Sequence, residues 1–360
     1  MLHDALKRHK AGFLVLLDAA DRLKARKVRE TLRNKIYELE YFCRRERLEF
    51  RCVVAGRYIK SEWDDKGRKG PRFSDKYAIV LTPFDQDVVQ DAIQDFTECQ
   101  GDIAKLARRV IYVSGGHPRL IASCLGFLKD NPRAKVSDID HNLIKDDLER
   151  TYEEIYESVP QKLHEILDMI SILRWGNANF LEDYGSIVGV IPGNFPTGND
   201  LVKELSGARL WNFDDSWLGY RDDICRRVLL AYAYRDDTQL RCELHGVAAE
   251  ICERWLQSAP ENAFYIPTLV VEGLYHSLNS SCKEQQVIPT LRKLLGYLRG
   301  SCVPDLIRGI QGKIRRDEEL QGLFFDLTQD EDYFNRHLDP LLNNEIESAE
   351  DLLRSHRGGV

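Results

Sequence analysis

From Phe13 to Leu17 five apolar residues follow one another without a polar break, and nothing else in this 360-residue chain limits its fold so much. An amphipathic helix interrupts such a run every third or fourth position, and a half-exposed strand interrupts it every second. Only a strand covered on both faces has no need to. A second run, Cys52 to Ala55, follows a stretch of helical spacing, and a third, Ala78 to Leu81, ends at Thr82-Pro83. Strand, helix, strand in that order predicts right-handed βαβ units and a parallel sheet within residues 1–84. The segment SEWDDKGRKGPRFSDK between the second and third runs is charged and rich in Gly and Pro, which predicts a surface loop.

After Pro83 the spacing becomes helical. A helix led by Asp85, another near Ile103 to Val110, and a third opening at Gly115-Gly116-His117-Pro118 make residues 85–148 a helical lid. Residues 149–238 continue with helices interrupted at Pro160, then the Gly- and Pro-rich VGVIPGNFPTGND, then a short helix from Leu201 to Leu205. ARLWNFDDSWLGY follows, two aromatic strands around an Asp-Asp turn, and then the helix DDICRRVLLAYAY. Helix, hairpin, helix is the outline of a winged-helix domain. Residues 239–360 are helical throughout, with apolar faces in LHGVAAEICERWL, YIPTLVVEGLYHSL and VIPTLRKLLGYL. Paired helices of this kind predict the start of a tetratricopeptide-like solenoid, although no clean period repeats. The expected fold class is therefore α/β followed by all-α.

Charge and cysteine usage exclude several functions. A net charge of −7 argues against bulk binding to nucleic acid, and Arg44, Arg45 and Arg47 are read as the solvated end of a helix. No apolar run approaches the roughly 20 residues of a membrane span. The opening MLHDALKRHKAG lacks the apolar centre and cleavage site of a secretory signal, so the expected location is the cytoplasm. Nine scattered cysteines without a C-x-x-C pair agree with that, and are read as buried thiols rather than as disulfides or a zinc site.

The ordered set LLDAADRL, VVAGRY, VSGGHP, a winged helix and EGLYHSL resembles the STAND class of signalling P-loop ATPases, the AAA+-related group that includes NB-ARC and NACHT proteins. The resemblance runs from about Leu2 to Leu278 and covers the part of the ATPase module after its phosphate loop, since no G-x-x-x-x-G-K-[ST] occurs. It implies a partial P-loop sheet carrying the Walker B and sensor strands, with ATP or ADP and Mg²⁺ as cofactors. Asp18 resembles the strand-end aspartate that orients Mg²⁺ and its water, and it could equally cap the following helix. Ala19 stands where a second acid is usual; Asp21 is the nearest substitute and either faces the site or caps the helix near Leu23. Arg57 resembles the sensor arginine that forks onto the terminal phosphate, or is a surface arginine in a charged loop. His117 and Pro118 resemble the lid motif beside the adenine. At the head of the winged-helix helix the family often has a histidine and an aspartate, but here Asp222 and Asp223 stand there and the histidine is absent.

His164, His245 and His276 fall on predicted helices and are read as packed structural histidines; no G-x-S-x-G or H-E-x-x-H is present. In ATPases of this type the phosphate loop follows a strand lying between the two that here would be Cys52 to Ala55 and Ala78 to Leu81. Without it, either that strand comes from elsewhere or the two close on each other, since unpaired buried edges cost about 1–3 kcal/mol per group. The expected function is a regulatory STAND-type switch without efficient hydrolysis of its own, working through a protein partner on its C-terminal helices, a homo-oligomer or a missing upstream half. A non-enzymatic interaction scaffold is the alternative, and a winged-helix DNA regulator using Arg226 and Arg227 a third reading.

Overall fold

The computed structural model describes residues 13–17, 26–46, 48, 50–54, 84–207, 211–214, 217–220, 223–261, 263–281, 286–298, 303–330 and 332–357. Contacts divide the chain into two units, Met1–Thr82 and Pro83–Val360.

In the first unit β1 (Phe13–Leu17) and β2 (Phe50–Val54) pair in parallel, Phe13 opposite Phe50 and Leu17 opposite Val54. Parallel neighbours cannot be joined by a tight turn, and α1 (Arg26–Arg45) lies between them in sequence. It buries Ile36 and Cys43, leaves Tyr37 and Tyr41 exposed, and ends on Arg44 and Arg45, where cations oppose the negative end of the helix dipole.

The expected α/β fold with a partial P-loop sheet needs correction. Among the described residues parallel pairing stops at β1 and β2, and fifteen α-helices stand against five short strands, so the chain is mainly helical. The cause is visible in the sequence: unalternating apolar runs end at Leu81, and the three-to-four spacing that follows can bury only helix faces. The third run, Ala78 to Leu81, and the charged loop before it lie outside the described residues.

The second unit opens with α2 (Gln86–Phe96), α3 (Ile103–Ser114) and α4 (Pro118–Asp130). Asp85 caps α2 by accepting from the Val88 amide at 3.0 Å, and Asp102 caps α3 from Lys105 at 3.2 Å. Val89, Ile93, Leu106, Val110, Leu120 and Cys124 close this layer. Then come α5 (Lys145–Ser158) and α6 (Gln161–Ser171), separated by Pro160, and the short strand β3 (Trp175–Gly176). α7 (Ala178–Ile187) is capped by Asn177, and α8 (Gly198–Gly207) leads to β4 (Trp211–Asp214) and β5 (Trp217–Tyr220). The three strands form an antiparallel sheet in the order β3-β5-β4. α9 (Asp223–Ala233) packs on α5 and α6, with the Tyr152 and Tyr232 rings 4.4 Å apart.

The tail is helical. α10 (Thr238–Ser258) and α11 (Ile266–Ser281) pack along each other, and α12 (Val287–Leu295), α13 (Val303–Arg316), α14 (Glu318–Thr328) and α15 (Asp339–Arg357) follow, the last entered through a π turn at Phe334–Leu338. α11 touches α10, α12 and α13 and is buried almost all round, from Ile266 to Leu278. That enclosure carries its polar residues Glu272 and His276 into the interior as well. No helix among the described residues is long and apolar enough to cross a membrane.

Candidate functional site

Of the residues singled out from sequence, Asp18, Asp21 and Arg57 lie outside the described residues, as does Asp222. His117 and Pro118 are described. α3 ends at Gly115 and Gly116, both left-handed with φ of 61° and 76°; His117 then turns extended as N-cap of α4, and Pro118 takes its first position. A fixed φ and a missing N–H cost nothing there. The Ser114 hydroxyl accepts from the Gly116 amide at 3.2 Å, and the Gly116 carbonyl accepts from Phe84 at 3.3 Å, so the turn is fastened on both sides.

This turn is seated on α9. A β-carbon at Gly115 would stand 3.0 Å from Arg227 Cβ and 3.2 Å from its Cδ, so glycine is required by the close approach as well as by its φ. Beyond the turn, Arg227 Nε lies 3.5 Å from Glu319 and Nη1 lies 3.9 Å from Glu318, both on α14. The turn, α9 and the tail therefore meet through one arginine. No group of three or more His, Cys, Asp or Glu that could hold a metal occurs among the described residues.

Next to Arg227 the interior holds a chain of buried charges. Arg174, between α6 and β3, forks onto Glu272 of α11 through Nε and Nη2 at 3.1 and 3.0 Å, and reaches Asp317 with Nη1 at 2.9 Å. Its guanidinium carbon lies 3.8 Å from the centre of the Tyr275 ring. The Tyr275 hydroxyl donates to Glu319 at 3.1 Å, and the other Glu319 oxygen pairs with Arg226 of α9, whose residue is 0% exposed. Burial alone would pull the Arg174 guanidinium down, but Asp317, Glu272 and Glu319 hold it well above its usual value. Burial raises the Glu272 carboxyl, with Arg174 opposing. Arg227 is mostly buried as well, so neither arginine of α9 lies open to a duplex in this conformation.

Two histidines complete the cluster. His245 of α10 and His276 of α11 face each other with their Nδ1 atoms 2.9 Å apart. One must donate and the other accept, so at most one can be charged while the bond lasts. His276 Nε2 is 3.8 Å from Glu272, and His245 Nε2 is buried without a hydrogen-bond partner. Burial first, then His245, Arg174 and Arg226, keep His276 well below the usual histidine range; burial, then Arg241, Arg226 and Arg174, do the same to His245.

The arrangement binds helices together, since Arg174–Glu272, Tyr275–Glu319, Arg226–Glu319 and His245–His276 each join different elements. Reading His245 and His276 as packed histidines agrees with their burial, but their contact and the arginine network gave no local signal. The available hint was compositional: Arg174 in SILRWG and Glu272 in VVEGLY are charges inside apolar helical stretches, which are buried only when paired. No protein family matches this chain, and no characterised protein or solved structure matches it.

Proposed function

We propose that the chain is the coupling part of a STAND-type regulatory switch, whose task is assembly or signalling rather than metabolic turnover. The observation that carries this is the seat of the Gly115-Gly116-His117-Pro118 turn on Arg227, which in turn reaches Glu318 and Glu319 of the tail. A change at the turn is thereby felt by α14, and a partner that displaces α14 is felt at the turn. A further observation supports the reading: β3, α7, α8, β4 and β5 follow one another with sheet order β3-β5-β4, the order of a winged helix. ATP or ADP with Mg²⁺ is the controlling ligand this reading implies, with a phosphate loop that these 360 residues do not encode.

A non-enzymatic scaffold is the second reading, favoured by the predominance of packed helices. The two separate in one experiment on a form of the chain extended upstream in its native reading frame, in which fluorescent ATP and ADP are titrated with Mg²⁺ while amide exchange is followed in residues 103–118 and 318–328. The switch reading expects nucleotide to change exchange in both segments together, and Arg227→Ala to confine the change to the first. Absence of any nucleotide effect removes nucleotide control and leaves the scaffold.

A further inference from the structure

The histidine pair stands where α10 and α11 meet the charge network, and Glu272 belongs to both. Its two oxygens are taken by the fork from Arg174, at 3.1 and 3.0 Å, which leaves His276 Nε2 at 3.8 Å, beyond hydrogen-bond range. The groups facing the pair are Arg174 from the α6–β3 junction, Arg226 from α9, Arg241 from α10 itself, and Glu272 and Tyr275 from α11, with Asp317 and Glu319 of α14 one step behind. Three cations surround two imidazoles, and the one adjacent carboxylate is engaged elsewhere. A proton added to the pair has a single anion to turn to.

We infer that His245, His276 and Glu272 form an acid-operated latch, in which protonation of the pair draws Glu272 from Arg174 onto His276 and frees the α6–β3 junction from α11. The proton reaches the same end state in either tautomer. If His276 Nε2 is bare, it is protonated there directly. If His245 donates through Nδ1, the proton enters at its unpartnered Nε2 and the Nδ1 proton passes across the 2.9 Å bond to His276, whose Nε2–H already faces Glu272. Each route ends with an imidazolium beside Glu272 and with Arg174 holding Asp317 alone.

The test uses the full chain between pH 8 and 5, with amides of α2 and α3 followed alongside to separate local opening from global unfolding. Protection of the amides at 172–176 against exchange, corrected for intrinsic rate, is expected to fall about tenfold per pH unit below about 6.5, the dependence of an opening that takes up one proton. His276→Asn keeps a hydrogen-bonding group near Nδ1 and carries no titratable proton, and is expected to abolish that dependence; His245→Asn is the second variant should the first fold poorly. Histidine proton resonances of the unmodified chain give a reading independent of either. The latch is overturned if both imidazoles stay neutral to pH 5 with protection at 172–176 unchanged, or if the Asn variants open with the same pH dependence as the parent.

Discussion

The guanidinium of Arg174 is engaged on every side, by a carboxylate fork, a second carboxylate and an aromatic face, and its side chain is only 9% exposed. A buried charge whose partner is removed is worse off than one never buried, so Arg174→Ala is expected to cost about 3–5 kcal/mol, because Glu272 is left charged in the interior. Arg174→Met with Glu272→Leu removes both members and is expected to recover much of that loss; Asp317, at 17% exposure, can turn toward water. Urea midpoints of the two variants decide it, and a double variant no more stable than Arg174→Ala would show that the pair adds net stability. Gly115 tests the neighbouring contact. Alanine there must adopt a left-handed backbone, at about 1–2 kcal/mol, and must also push Arg227 aside. Gly126 is the control: it lies exposed inside α4 with nothing near its missing β-carbon, so Gly126→Ala is expected to stabilise by about 0.5–1 kcal/mol. Thermal melts of the two alanine variants should move in opposite directions.

At the level of elements, what could be read in advance was local. Asp85 before α2 and Gly115-Gly116-His117-Pro118 between α3 and α4 act on groups a few positions away, and the chain displays such signals directly. The apolar runs mark strands β1 and β2 but do not fix how many neighbours a strand gains, and so predict more parallel sheet than the described residues contain. The charge network was hidden because Arg174 finds its partners 98 and 143 positions away, and Arg226 finds Glu319 at 93. Of the predicted site residues, only His117 and Pro118 fall where their surroundings are described, and both sit in the turn that touches α9. Asp317 joins the local and distant kinds of signal, since one oxygen accepts from the Leu320 amide at 3.0 Å, capping α14, and also from Arg174. Asp317→Asn keeps the cap and loses the ion pair; Asp317→Ala loses both, and is expected to be less stable than Asp317→Asn by about 1 kcal/mol, the worth of a cap. Equal urea midpoints would mean that the cap contributes nothing and that Asp317 serves Arg174 alone.

Across the whole molecule the buried histidines should govern how stability responds to acid. Both are held below their usual value of about 6.5 in the folded chain, first by burial and then by the surrounding arginines. Between that value and their folded ones the unfolded chain binds protons that the folded chain does not, so stability rises with pH there and is lost as pH falls through 6.5. The loss is up to about 1.4 kcal/mol per pH unit for each histidine. Glu272 and Asp168 act in the opposite sense. Burial raises both, so the folded chain binds their protons first, and they return some stability as the carboxylate range is approached. Urea midpoints should therefore be level from pH 8 to 7, fall steeply below about 6.5, and flatten toward pH 5. Added salt should change the slope little, because the pair and its neighbours are enclosed rather than spread over a surface where ions screen them. Replacing both histidines by Asn should reduce the slope between pH 7 and 5.5 to the part left by His141, which burial and then Arg109 also hold below the usual histidine value. A double variant as acid-sensitive as its parent would place the titrating groups elsewhere and leave the pair a packing contact between α10 and α11.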